Sequence, residues 1–178
     1  MEKLYRIEKD FLGEKEIESS KYYGIQTLRA KENFNITKTD ISLFPNFIKS
    51  LAKVKKACAL TNFELGDLTD VQKDAIVQAC NEIIDGKFHD QFIVDPIQGG
   101  AGTSTNMNAN EVIANRALEI LGHPKSSYDI IHPNNHINMS QSTNDVYPTA
   151  IKVTLHELIY KLKDSLRFLR DCFEEKSI

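Results

Sequence analysis

Seven apolar residues near the C-terminus restrict the fold more than anything else in the sequence. Ile151, Leu155, Leu158, Leu162, Leu166, Leu169 and Phe173 recur at steps of three or four. That spacing draws one stripe along a helix that packs lengthwise on a parallel or antiparallel partner. Ile159 and Phe168 widen the stripe, and no second long helix follows before the sequence ends at Ile178. The expectation is a chain cut inside the first helix of a bundle. Residues 1–141 would form the preceding domain and residues 142–178 the start of a central helical-bundle domain.

Upstream the pattern is also helical. Pro45 suits a first helical position, and Phe47, Ile48, Leu51, Val54, Cys58 and Leu65 return at helical spacing until Gly66, which predicts a core helix. Thr69 and Gln72 have the spacing of a capping box, and Ile76, Ala79, Cys80, Ile83 and Ile84 predict a second inward face ending at Gly86. A third helix is predicted from about Asn106 to Leu121, with Gly122 and Pro124 as its stop. Residues 1–20 fit a short strand or hairpin, and residues 21–34 a short helix and a turn. The fold class is therefore mainly α: an N-terminal helical domain with a small β element, followed by the first long helix of a truncated central bundle.

Composition excludes several partners. Of the residues, 41% are hydrophobic and 26% charged, with a net charge of -3; that is a soluble globular composition without the basic excess nucleic-acid binding needs. No apolar run has signal-peptide or bilayer-spanning length, so the expected location is cytoplasmic, with no membrane partner. Cys58, Cys80 and Cys172 stand far apart in helical patterns and read as small core residues in a reducing compartment.

Residues 99–112, Gly-Gly-Ala-Gly-Thr-Ser-Thr-Asn-Met-Asn-Ala-Asn-Glu-Val, run from a glycine turn into hydroxyl and amide side chains at a helix start. Unpaired N–H groups and the positive end of the helix dipole favour a carboxylate or phosphate there. A Walker-type loop would need a lysine beside the hydroxyl residues, and none occurs between Lys87 and Lys125. A second cluster, Ser140-Gln141-Ser142-Thr143-Asn144-Asp145, precedes a helical pattern opening near Pro148. The residues thus indicate a small-anion site lined by Thr103, Ser142, Thr143 and Asn144. Asn106, Asn108, Asn110 and Asn115 are unusual on a helix; solvent exposure and polar packing beside a ligand are both open. Arg29 reads as a surface cation rather than a charge beside an acidic substrate. His132 and His136 stand four apart, but Pro133 between them argues against a helical metal pair, so no metal is expected.

The stretches at 99–112, His-Pro-Asn-Asn-His-Ile-Asn at 132–138 and Ser-Gln-Ser-Thr-Asn-Asp-Val-Tyr-Pro-Thr at 140–149, with Tyr-Tyr-Gly-Ile-Gln-Thr-Leu-Arg-Ala-Lys-Glu-Asn-Phe at 22–34, closely resemble the aspartase/fumarase superfamily, in order and over nearly the whole chain. The resemblance implies removal of a leaving group from a succinyl substrate through an aci-carboxylate, without a cofactor. It implies that Thr103, Ser142 and Thr143 hold the carboxylate beside the acidic carbon, while Asn144 with Thr103 contacts the leaving amino group. Ala101, Ser104 and Thr143 match the aspartase branch, which implies L-aspartate, fumarate and ammonia as ligands; hydration of fumarate is the alternative. The family's base serine lies on a loop beyond Ile178, and its active sites gather segments from several subunits of a homotetramer. The fragment is therefore expected to hold no catalytic residue and to be inactive alone. The resemblance also allows an accessory anion at residues 132–138. A non-catalytic helical binding or scaffold module is the competing reading from a different class.

Overall fold

The computed structural model describes residues 4–177. Strands β1 (Tyr5–Asp10) and β2 (Gly13–Glu18) pair antiparallel from Tyr5 opposite Glu18 to Asp10 opposite Gly13. The Asp10 carboxylate accepts the Leu12 N–H at 2.9 Å and closes the turn. Helices follow in order: α1 (Ile25–Asn33), α2 (Pro45–Glu64), α3 (Asp70–Ile84), α4 (Thr103–Ile120) and α5 (Thr143–Lys176). The predominantly helical fold with one small sheet is as the sequence implies.

The core lies between α2, α3 and α4. Ile48, Ala52, Ile76, Ala79, Cys80, Ile83, Val112, Ile113, Ala117 and Leu118 are buried in one cluster with Phe92 and Ile131, so the helical faces read from spacing do turn inward. Leu65 departs from its expected core position and is exposed, because α2 has ended at Glu64. The Thr69 capping box forms, with the Thr69 hydroxyl accepting the Gln72 N–H at 3.2 Å and Gln72 Oε1 accepting the Thr69 N–H at 3.1 Å. Cys80 is a core residue, while Cys58 and Cys172 are half-buried.

Two helix starts differ from expectation. α4 begins at Thr103, three residues earlier than the apolar spacing marks. α5 begins at Thr143 and not near Pro148. Pro148 is the sixth residue of α5, where it forgoes one bond to a carbonyl of the first turn. Thr143 and Asn144 therefore belong to the first helical turn. Val146 and Ala150 of α5 pack on Leu51, with Phe47 and Val54 beside them; Thr154 Oγ1 meets Ser50 Oγ at 2.9 Å, and Lys53 pairs with Glu157. Beyond that contact the stripe from Leu155 to Phe173 is exposed, between 42% at Leu158 and 67% at Phe173.

α1 is held by carboxylates from elsewhere in the chain. Glu111 of α4 accepts the N–H groups of Gly24, Gln26 and Thr27 at 2.8, 2.9 and 3.0 Å, and the Thr27 hydroxyl at 2.6 Å. Glu8 of β1 accepts the Ile25 N–H at 2.9 Å. A Cβ on Gly24 would stand 2.8 Å from both carboxylates, so the approach requires glycine. Burial, reinforced by the Glu8 charge, pushes the Glu111 carboxyl up to about 7 against the pull of its donors. At Gly102, the residue before α4, φ is +85° and a Cβ would lie 2.2 Å from the Tyr147 ring, so α4 starts flat against α5.

Two stability predictions follow from these contacts. At pH 8, where Glu111 is ionised, Glu111→Gln turns an amide NH2 toward N–H donors and lowers unfolding free energy by roughly 2–4 kcal/mol, read from urea denaturation; an unchanged midpoint would show that the clamp contributes nothing. Gly102→Ala combines a left-handed backbone penalty with overpacking, together roughly 2–4 kcal/mol. In a Tyr147→Leu background the loss should shrink to the backbone part, about 1–2 kcal/mol, and equal losses in both backgrounds would refute the ring contact as its cause.

Candidate functional site at two helix starts

The glycine turn delivers α4 without a side-chain cap of its own, since Gly102 has none to give. Gln98 supplies it: its Oε1 accepts the Thr105 N–H at 2.9 Å, and its Nε2 donates to the Asp95 carbonyl at 2.9 Å and to Thr105 Oγ1 at 2.8 Å. Buried Thr105 is thereby committed to structure. Thr103 is exposed and Ser104 half-buried, and both line a pocket of about 580 Å³ with Gln26, Arg29, Glu32 and Met107. Among the described residues the Thr103 hydroxyl takes no hydrogen-bond partner.

Arg29 shares that pocket wall but is half-buried rather than a free surface cation. Its guanidinium donates to both oxygens of Asp10 at 2.7 and 2.8 Å and to the Gly13 carbonyl at 3.1 Å. The pairing holds the Asp10 carboxyl below its usual range, and the cation is largely neutralised by it.

At the second start, Ser142 and Asp145 form a reciprocal capping box that sequence reasoning missed, although Ser and Asp three apart is its signature. Ser142 Oγ accepts the Asn144 N–H at 3.1 Å, and Asp145 Oδ2 accepts the Ser142 N–H at 3.2 Å. Ser142 thus uses its oxygen as a cap and retains its proton to donate. The exposed Asn144 side chain has no partner among the described residues. Thr143 Oγ1 accepts from Asn106 Nδ2 at 3.2 Å.

That last bond, with the Gly102–Tyr147 contact, sets the two starts side by side within one chain. It joins Thr143 to α4 through Asn106; no direct bond among the described residues links Thr103 to Ser142, Thr143 or Asn144. Exposure of the α4 asparagines is overturned: Asn106, Asn108, Asn110 and Asn115 are all at most 2% exposed.

Beneath the α5 start lies a polar cluster the sequence reading passed over. Asn138 Oδ1 accepts from Lys55 Nζ at 2.8 Å, Asn106 Nδ2 at 2.9 Å and Asn110 Nδ2 at 3.3 Å, and Gln141 Oε1 accepts from Lys55 Nζ at 2.9 Å. The available signal was a lysine four residues after Leu51 on the inward face of α2. Burial pushes the Lys55 ammonium down to about 7.

Residues 133–137 form a single π-turn rather than an irregular loop. His132 Nδ1 accepts the N–H groups of Asn134 and Asn135 at 3.0 and 3.3 Å, and His136 Nδ1 accepts the His132 N–H at 2.8 Å. Both rings are held by backbone rather than by a common centre, and burial lowers both pKa values, which keeps them neutral at pH 7. Among the described residues no three His, Cys, Asp or Glu side chains are grouped to hold a metal.

Known proteins share much of this sequence and its fold. A family model described as "Lyase" matches residues 13–178. The chain is 58% identical over 172 residues to the aspartate ammonia-lyase of Helicobacter pylori strain J99, covering 97% of this chain and 37% of that protein. It is 58% identical over 176 residues to the aspartate ammonia-lyase of Bacillus subtilis, covering 99% and 37%. Among solved structures, that described as fumarate lyase:delta crystallin from Brucella melitensis superposes with a TM-score of 0.94 at 52% identity, over 97% of this chain and 40% of that one. The chain spans a little over a third of the length of the relatives it matches. With the family pattern running from the second strand to the end of α5, the chain belongs to this lyase family.

Proposed function

We propose that this chain is the substrate-holding part of an aspartate ammonia-lyase, which converts L-aspartate reversibly to fumarate and ammonia. The observation that carries the reading is the pairing of two helix starts, each with uncommitted donors, in a chain 58% identical to enzymes named for that activity.

In this reading Thr103, Ser142 and Thr143 donate to the carboxylate beside the carbon that loses its proton. Negative charge accumulates on that carboxylate as the aci-form develops, and donors fixed in advance strengthen as it grows. The helix dipoles of α4 and α5 act in the same sense. The Asn144 carbonyl, with Thr103, accepts from the departing ammonium group. None of these groups is a strong base, so the proton acceptor is another residue, which the family resemblance puts on a serine loop beyond Ile178. The 142–178 segment then begins a central bundle in which the exposed stripe from Leu155 to Phe173 is covered, in an assembly of four copies.

The test is ultraviolet detection of fumarate formed by the full-length enzyme carrying these residues. Thr103→Ala and Asn144→Ala should each lower kcat/KM for aspartate by roughly 100-fold or more, the loss typical of one such donor. Ser142→Ala should add a stability loss of about 1 kcal/mol, because its oxygen also caps α5. Residues 1–178 alone should form no fumarate. Wild-type kcat/KM in Asn144→Ala would sink the assignment, and turnover of malate instead of aspartate would move the chain to the hydratase branch.

A further inference from the structure

Lys55 is the largest of the fully buried side chains, at 1% exposure, and among the described residues it has no carboxylate partner. A methionine would fill the same space without the cost of burying an ammonium group. What the ammonium does there follows from the polarity of hydrogen bonding. A lysine ammonium only donates, so the group facing it at 2.8 Å must be Asn138 Oδ1 and not Nδ2. Asn138 Nδ2 is then turned to the Gln141 carbonyl at 3.0 Å. Once Asn138 presents oxygen, its neighbours must present nitrogen. Asn106 and Asn110 both point Nδ2 at it.

The same Asn106 Nδ2 reaches Thr143 Oγ1, so the threonine oxygen accepts on that side and its proton is directed elsewhere. The orientation has a visible cost: among the described residues Asn106 Oδ1 and Asn110 Oδ1 are buried without a partner. Gln141 completes the frame. Its Oε1 takes the second Lys55 bond, while its Nε2 ties down the Ile137 and Met139 carbonyls at 2.9 and 3.1 Å. Between Met139 and Gln141, Ser140 is held at φ +61°, the turn that aims the chain into Ser142.

We propose that Lys55 is a positioning residue that, through Asn138 and Asn106, fixes the Thr143 hydroxyl as a donor toward the substrate carboxylate. This rests on the reading that Thr143 binds that carboxylate. The relay has a direction because each member can satisfy its neighbour only one way. Removing the donor-only group at its head leaves Asn138 held in this orientation by the Gln141 carbonyl alone; when Asn138 turns, Asn106 can follow, and Thr143 can then donate inward to an asparagine carbonyl.

Two measurements test it. In the full-length enzyme, Lys55→Met should lower kcat/KM roughly tenfold with an unfolding midpoint at or above wild type. In a Thr143→Val background, where no hydroxyl remains to be aimed, the same change should have no further effect. A purely structural lysine would instead give a lowered midpoint and a loss that multiplies with that of Thr143→Val, and either result overturns the proposal.

The second measurement needs no change to the relay itself. A neutral amine can accept, so deprotonating Lys55 releases the polarity. In residues 1–178, the Lys55 Cε carbon and the side-chain NH2 signals of Asn138 and Asn106 should titrate by NMR with one midpoint, near 7. Glu111 on α4, itself pushed up to about 7, is the ionisable group that could mimic this midpoint, so the titration is repeated in Glu111→Gln; Cys58, Cys80, His132, His136 and Asp145 also lie on the elements around this cluster, and their own signals separate them. Asparagine signals that follow one of those groups, or do not titrate, overturn the relay. Since that readout involves no turnover, it stands apart from the substrate assignment, which the Asn144 and Thr103 variants decide.

Discussion

Every helix start leaves N–H groups without an intrahelical acceptor, and the way this chain disposes of them organises the rest of the structure. α3 uses its own Thr69 box. α1 gives its N–H groups to Glu111 and Glu8, which pins it to α4 and β1 and makes Gly24 obligatory. α4 receives a cap from Gln98, outside the helix, so the hydroxyls of its first two residues stay uncommitted. α5 is capped by Ser142 through oxygen alone. Among these four starts, α1 is closed by carboxylates and α3 by a box whose Thr69 hydroxyl also donates, to Gln72 Oε1 at 3.0 Å, whereas α4 and α5 are closed by groups that leave O–H donors available.

The interior of α4 continues the same economy of donors and acceptors. Asn108 accepts the Ile93 N–H at 3.0 Å and donates to the Gln91 carbonyl at 3.0 Å; Asn115 donates to the Tyr22 carbonyl at 2.8 Å and accepts the Ser126 N–H at 2.8 Å. These amides satisfy backbone groups of segments without regular ladders, where an apolar side chain would leave buried polar atoms unpaired at a cost of about 1–3 kcal/mol each. They anchor the connection from Gln91 to Ile93, and hence the approach to the glycine turn. Low helix propensity is overridden because the side chains are needed for tertiary bonds.

Features legible in the sequence were those whose partners are close along the chain. The hairpin, the Thr69 box, the inward faces of α2, α3 and α4 and the α5 stripe are set by local spacing. Pro148 misplaced the start of α5 because a proline resembles a first helical residue, while the Ser142–Asp145 box that sets the true start carries the same local signature as Thr69–Gln72. Gln98, Glu111 and Asn106 were illegible for another reason: their partners lie on other elements. Lys55 could be placed on the inward face of α2 from its spacing to Leu51, but its partners could not be read. Of the site itself, the pattern and the family resemblance named Thr103 and residues 142–144. That Asn106 joins the two starts needed the three-dimensional packing.

The proposed site has a particular electrostatic character. Arg29 is neutralised by Asp10, His132 and His136 are neutral, and Lys55 is sealed beneath the surface that substrate would touch. The donors this chain offers are therefore uncharged hydroxyls and amides backed by helix dipoles. Such groups discriminate weakly between a resting carboxylate and water. They gain most when charge on the carboxylate rises, because they are already oriented and no counter-ion must be displaced. A site that bound aspartate mainly through a fixed cation would stabilise the ground state nearly as well as the aci-form and gain little rate. Neutral donors fixed in orientation avoid that.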